Sequence, residues 1–202
     1  MAMAKPCRVI LWFGTRGLSA RRLQTDWESN MKKGGKTRLE RFIARVVGQR
    51  TCIDAAAQFA AQHEGDIWEV GLGNGRTYDH LRDRFAGHDV IVFDRQVMAH
   101  PDCIPPDDML RLGDFRQTIP AELARSAGRV AVIHADIGNG NVAESRALGS
   151  WLTPLFVRAL ASGGCLVGDQ PMEDTALEPI TLASIGGADL PADTYFLYRK
   201  RA

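Results

Sequence analysis

The sequence predicts an α/β protein with a doubly wound, mostly parallel sheet and an N-terminal helical extension. Three observations carry that class. Short apolar runs recur at residues 66–70, 89–94 and 130–136, as in strands buried on both faces of a sheet. The first run leads directly into a glycine loop, Gly71-Leu72-Gly73-Asn74-Gly75, and then a helical stripe of Tyr78, Leu81 and Phe85. The second run ends on a carboxylate, Asp94, as the second strand of a nucleotide-type α/β unit does.

Size and composition fit this class. A chain of 202 residues is the size of one domain, at roughly 100–200 residues per domain. With 45% hydrophobic and 24% charged residues, the composition is globular and argues against disorder, collagen and coiled coil. Cys7, Cys52, Cys103 and Cys165 form no Cys-x-x-Cys pair. That excludes a zinc ribbon, argues against a disulfide scaffold, and suits reduced thiols in a cytoplasmic protein. No membrane partner is expected, because the early apolar run at 9–13 falls far short of the ~20 residues of a spanning helix. It also lacks the cleavage site of an export signal. The net charge of +1 conceals a division: residues 1–50 carry +9 and the remainder −8. Such a basic head either packs on the acidic body or draws an acidic substrate, nucleic acid or lipid.

Taken in order, residues 8–13 read as a short strand broken by Gly14 and Gly17. Gly34-Gly35-Lys36-Thr37 is not a phosphate loop. The motif needs a glycine where Asn30 stands and a strand before it, so the glycines mark a turn and Thr37 a helix start. Leu39, Phe42, Ile43, Val46 and Val47 form one apolar helical stripe, with Gly48 as its stop. A second helix fits 51–63, with Ile53, Ala56, Ala57 and Ala60 inside. The chain thus divides into a basic helical cover, 1–65, and a sheet domain, 66–202, within one compact unit. A third strand at 109–115 carries Asp114 near its end. Trp151, Leu152, Leu155, Phe156, Val157 and Leu160 read as a core-facing helix.

The glycine loop sets the ligand chemistry. Free amides at the following helix start, around Arg76 and Thr77, form an anion site. A dinucleotide fingerprint would place glycine or alanine at position 76, which is Arg76. Instead Glu69 stands two residues before Gly71, where a carboxylate suits a ligand with a cationic group. Asp94 is placed to accept both hydroxyls of a ribose, or else to cap a helix or pair with a cation. Asp114 could accept from an adenine amino group. Phe115 either covers a ring or belongs to the core.

Together these residues resemble the class I S-adenosylmethionine-dependent methyltransferases over residues 66–199, about two-thirds of the chain. Residues 69–75 look like the family's first motif, Asp94 its ribose acid, and Gly113-Asp114-Phe115 its adenine motif. Residues 130–136 resemble its fourth strand, and Ser162-Gly163-Gly164-Cys165-Leu166-Val167 its glycine pair and fifth strand. The resemblance implies a Rossmann-like seven-stranded sheet with an antiparallel last strand. Residues 181–185 and 195–199 are candidates for the final two strands, and the short link before them leaves little room for a helix. It implies S-adenosyl-L-methionine as cofactor. Glu69, Gly71, Leu72, Gly73, Asn74, Gly75, Arg76 and Thr77 would hold its methionine part, Asp94 and Arg95 its ribose, and Asp114 and Phe115 its adenine.

The acceptor implied is a small molecule. His134 and Asp136 are the catalytic candidates, since an unperturbed histidine titrates near pH ~6.5; a structural hydrogen bond is the other reading of His134. Metal-dependent O-methyltransferases of this class carry an acid after the fourth strand and Asp-Asn after the fifth. This chain has Asp136 and Asp169-Gln170, with His134 where an acid is expected, and no metal is assigned. Trp27, Asn30, Lys32 and Lys36 of the basic head are candidates for touching the acceptor. A dinucleotide oxidoreductase is disfavoured by Arg76. A nucleic-acid methyltransferase using the basic head is the lesser reading, for want of an Asn/Asp-Pro-Pro-aromatic signature. A noncatalytic cofactor-binding protein is a third class. Oligomeric state is left open between monomer and homo-oligomer.

Overall fold

A parallel strand flanked on both sides and covered on both faces is buried from end to end and mostly apolar, and β1 (Ile67–Val70), apolar but for Glu69, is buried along its whole length. The computed structural model describes residues 37–202. The expected strand at 8–13, the turn at Gly34-Gly35, and the acceptor contacts of Trp27, Asn30, Lys32 and Lys36 lie outside those residues. The other strands are β2 (Val90–Asp94), β3 (Leu110–Leu112), β4 (Val130–Ala135), β5 (Leu160–Gly168), β6 (Leu177–Ile180) and β7 (Phe196–Lys200). They form one sheet in the order β3-β2-β1-β4-β5-β7-β6. β1 to β5 are mutually parallel, and β7 runs antiparallel between β5 and β6.

Among the described residues, four α-helices cover the sheet: α1 (Arg38–Ala60), α2 (Arg76–Arg84), α3 (Phe115–Ser126) and α4 (Val142–Ala159). Strand alternation divides the core in two. Ile67, Val92, Val132, Val167 and Leu197 meet α1 and α2 through Cys52, Ile53, Ala56 and Leu81. Trp68, Phe93, Ile133 and Leu166 meet α3 and α4 through Ile119, Leu123, Leu152 and Phe156. The doubly wound, three-layer arrangement agrees with the fold class expected.

Within the segment expected as a cover, 1–65, the described part of α1 packs on the sheet. Cys52, Ile53, Ala55, Ala56 and Ala60 of α1 share one core with β1, so a cut after residue 65 would open it. Glu40–Ala202 forms one compact unit. The two helices expected there are one. α1 begins directly after Thr37, as expected, but runs on through Gly48 to Ala60. Glycine inside a helix costs about 1 kcal/mol relative to alanine. Here its missing side chain permits close packing: a Cβ at position 48 would sit 3.2 Å from Thr194 Cγ2 and 3.3 Å from Tyr195 Cβ. The stripe's first turns are also not core, since Leu39, Phe42 and Ile43 are exposed.

Three further expectations need correction. The sixth strand is Leu177–Ile180, and most of 181–185 is a 3-10 turn, Leu182–Ile185. The expected third strand shortens to Leu110–Leu112, because Asp114 caps α3 by accepting from Arg116 N. Leu160 starts β5 rather than ending α4, which itself begins at Val142. The link from Asp169 to Ala176 contains no helix, as its length implied.

Gly48→Val should crowd the contact between α1 and Tyr195 and lower unfolding stability by about 1–3 kcal/mol. Urea denaturation reads this directly, and an unchanged midpoint would show that α1 does not depend on that close approach.

Candidate active site

Sheet order reverses between β1 and β4, and ligands of such sheets bind in the crevice at that point. A cavity of about 530 Å³ opens there. One wall is the loop at 71–74 with Arg76 and Thr77; Asp94, Arg95 and Phe115 flank it. The other wall is Asp136, Ile137, Gly138 and Asn139, after β4. Phe42, Arg45, Val46 and Gln49 of α1 also line it, which gives the exposed Phe42 a place at the site. A second cavity of about 550 Å³ adjoins the first at Arg45 and Gly138, and is lined by Arg146, Asp169, Gln170 and Phe196 among others.

The loop is held from two directions. From the β2 tip, Asp94 Oδ2 accepts from Leu72 N at 2.8 Å and Gly73 N at 3.2 Å, and its Oδ1 from Arg95 N at 2.6 Å. From beneath, Thr77 Oγ1 donates to Glu69 Oε1. Position 71 admits only glycine: φ is +98°, and a Cβ would lie 2.3 Å from the Asp136 carbonyl oxygen.

Register explains what lies below the cavity. β1 and β4 pair Glu69 with His134, so both side chains project toward α1. Both are fully buried, and His134 Nδ1–H donates to Glu69 Oε2. His134 Nε2 lies 2.8 Å from Tyr195 Oη, and Gln49 Nε2 donates to that hydroxyl at 3.1 Å. Gln49 Nε2 also donates to Asp136 Oδ2 at 3.2 Å. Arg45 closes the chain, its Nη2 donating to both Asp136 oxygens, at 2.5 and 2.6 Å. Burial disfavours the imidazolium, but Glu69, with the further charges of Asp136 and Asp169, raises the His134 pKa. Burial, then Asp136, raises the Asp169 carboxyl.

The chain matches the model of an S-adenosyl-L-methionine methyltransferase family over residues 36–200. It belongs to that family. An S-adenosyl-L-methionine methyl transferase from Silicibacter pomeroyi DSS-3 has a solved structure 38% identical to this chain, with a TM-score of 0.77. The match covers 82% of this chain and 99% of that one. The aminoglycoside resistance methyltransferase NpmB1 is 14% identical, with a TM-score of 0.44 over 71% of this chain and 90% of its own. A 16S rRNA (adenine(1408)-N(1))-methyltransferase from Catenulisporales acidiphilia, a W203A mutant solved with cosubstrate SAM, is also 14% identical. Its TM-score is 0.42, over 74% of this chain and 92% of its own. No curated protein matches the chain significantly.

This methyltransferase uses S-adenosyl-L-methionine, and the cavity's chemistry fits that molecule. It is bordered by backbone amides at a helix start for a carboxylate, by the acids Asp94 and Asp136 for cationic groups and hydroxyls, and by Phe115 for a ring. Of the residues expected to bind the cofactor, Gly71, Leu72, Gly73, Asn74, Arg76, Thr77, Asp94, Arg95 and Phe115 line the cavity. Three of the expected residues, Glu69, Gly75 and Asp114, stand outside this lining. Glu69 does not reach the cavity, because both its oxygens are engaged beneath the loop. Gly75 packs away from it, against Ala99 and Cys103. Asp114 caps α3, pairs with Arg95 Nη2 at 2.9 Å and does not line the cavity.

His134, expected to be a base, is buried in the core and is not in the lining of this cavity; Asp136 does line it. Gln49 and Tyr195 were missed, since neither stands in a motif and only tertiary packing joins them to His134. Among the described residues, no cluster of three His, Cys, Asp or Glu side chains could hold a metal ion, and no helix is long and apolar enough to cross a membrane.

Asp94→Ala removes a charged acceptor from two loop amides, a loss of about 1.5–3 kcal/mol per bond to a charged group. Calorimetric titration should show S-adenosyl-L-methionine affinity falling on the order of tenfold or more; unchanged affinity would exclude Asp94 from the site. A second outcome follows from His134. A raised pKa adds stability that is full below the unfolded value of ~6.5 and is lost as pH rises through the folded value. The advantage of the parent over His134→Asn in urea should therefore be largest below pH ~6.5 and shrink above it. A difference independent of pH would contradict the raised pKa.

Proposed function

We propose that this methyltransferase acts on a small molecule. The observation that carries the reading is the junction of two cavities, of about 530 and 550 Å³, at Arg45 and Gly138. Each has the size of a small-ligand site, typically about 300–1,000 Å³. The cavity with the glycine loop takes the cofactor, and the adjoining one admits the acceptor. The bound cofactor supplies an electrophilic methyl group on a sulfonium.

The chain's residues then have distinct tasks. Amides of the loop and the α2 start, with Arg76 and Thr77, hold the methionine part. Asp94 retains unused lone pairs for ribose hydroxyls, since a carboxylate offers about four acceptor sites. Phe115 lies against the adenine. Asp136 and Asp169 border the passage between the cavities and orient the acceptor, or take its proton where it carries one. Alignment of acceptor and methyl group supplies much of the acceleration.

The test is methyl transfer from tritiated S-adenosyl-L-methionine into an extract of the source cells, followed by ultrafiltration and nuclease digestion. Label in the low-mass, nuclease-resistant fraction is expected. Label retained with nuclease-sensitive RNA or DNA would overturn the reading in favour of a nucleic-acid acceptor.

A further inference from the structure

The two walls of the cavity are joined by a polar chain that runs through the core. It passes from Asp136 through Gln49, Tyr195, His134 and Glu69 to Thr77. Its ends, Asp136 and Thr77, line the cavity on opposite sides, while Tyr195, His134 and Glu69 do not reach it. We propose that Tyr195 is a positioning residue, whose hydroxyl couples the acceptor-side wall to the loop that binds the cofactor. The proposal rests on the cofactor-site reading above.

Each link is set by the fold. Gly48 allows α1 to approach Tyr195 closely, which puts Gln49 within bonding distance of its hydroxyl. Tyr195 precedes β7, whose Leu197 pairs with Val167 of β5, itself paired with His134. The phenol therefore stands beside the imidazole, the rings nearly parallel at 12°. The hydroxyl serves either state of the ring. When His134 is protonated, Nε2–H donates to the hydroxyl oxygen; when neutral, the Tyr195 O–H donates to Nε2. The Gln49 amide donates to the same oxygen in both cases.

Phenylalanine would fill nearly the same space yet break this chain. Gln49 would lose one of its acceptors, and His134 Nε2 would keep only the Gln49 nitrogen, at 3.3 Å. Freed of Tyr195, Gln49 and His134 reorient, and Glu69 follows His134. Thr77, bonded to Glu69, shifts with it, although Tyr195 and Thr77 share no contact.

A double-mutant cycle on cofactor affinity tests this. Tyr195→Phe and Thr77→Val should each raise the S-adenosyl-L-methionine Kd by about three- to tenfold, the value of one hydrogen bond. The double variant should lose less than the product of the two, the mark of residues in one network. Cofactor binding to the parent should also shift the ring nitrogen resonances of His134, and Tyr195→Phe should diminish that shift. Unchanged affinity of Tyr195→Phe beside an impaired Thr77→Val, or effects that multiply, would overturn the coupling alone. An unaffected Thr77→Val would overturn the cofactor-site reading as well. If Tyr195→Phe fails to fold, Gln49→Met takes its place in the same cycle, with the same expected and contrary results.

Discussion

The pair of Glu69 and His134 is the contact on which the site's construction depends. Two ionisable side chains, both wholly buried, face one another across adjacent parallel strands. Neither could be there alone, because an unpaired buried charge is far costlier than the pair. Their partnership fixes the register of β1 against β4 at the reversal of strand order, where slippage by one residue would bring an apolar side chain opposite a carboxylate. From that row the polar contacts spread outward, to Thr77 on one side and to Tyr195 and Gln49 on the other. The floor of the cavity is therefore polar and directional, while the rest of that core, from Ile67 to Leu197, is apolar.

α1 is part of this construction. Its C-terminal half supplies Cys52, Ile53 and Ala56 to the core, and its middle supplies Gln49 and Arg45 to the site. The exposed Phe42 makes sense as cavity lining. Gly48 trades helix propensity for proximity, and the hydrogen bond between Gln49 and Tyr195 depends on that proximity. The Arg45–Asp136 ion pair, partly exposed on both sides, holds the same helix to the β4 tip at the cavity's edge. Its contribution lies in geometry more than in stability, given how modest exposed pairs are.

What could be read from the sequence was what is local. Strand, glycine loop and helix at 66–85 follow from periodicity and from glycine's conformational range, and they matched the fold nearly residue for residue. The Asp94 position was legible because it ends a strand at the expected distance from the loop. The continuity of α1 was not, because a glycine reads as a stop unless the packing partner, here Thr194 and Tyr195, is known. The burial and pairing of Glu69 and His134 were not legible for a related reason. Each is a polar residue near a strand's end, and only the register between β1 and β4 turns them toward one another and away from solvent. Asp114 illustrates the local ambiguity of an acid between strand and helix, where capping took one of its oxygens and Arg95 the other.

The loop's two supports explain why so polar an arrangement is retained. Glycines give a backbone the freedom to approach a ligand, and that same freedom would have to be surrendered on binding. Asp94 anchors the amides of Leu72 and Gly73 from the tip of β2, while Glu69 anchors Thr77 from within β1. With both in place the loop is ordered before any ligand arrives, and its entropy cost is met in folding rather than in binding. An apolar row in place of Glu69 and His134 would serve the core's stability as well. It would leave Thr77 unanchored, and the first turn of α2 would have only Asp94's side of the loop to orient it.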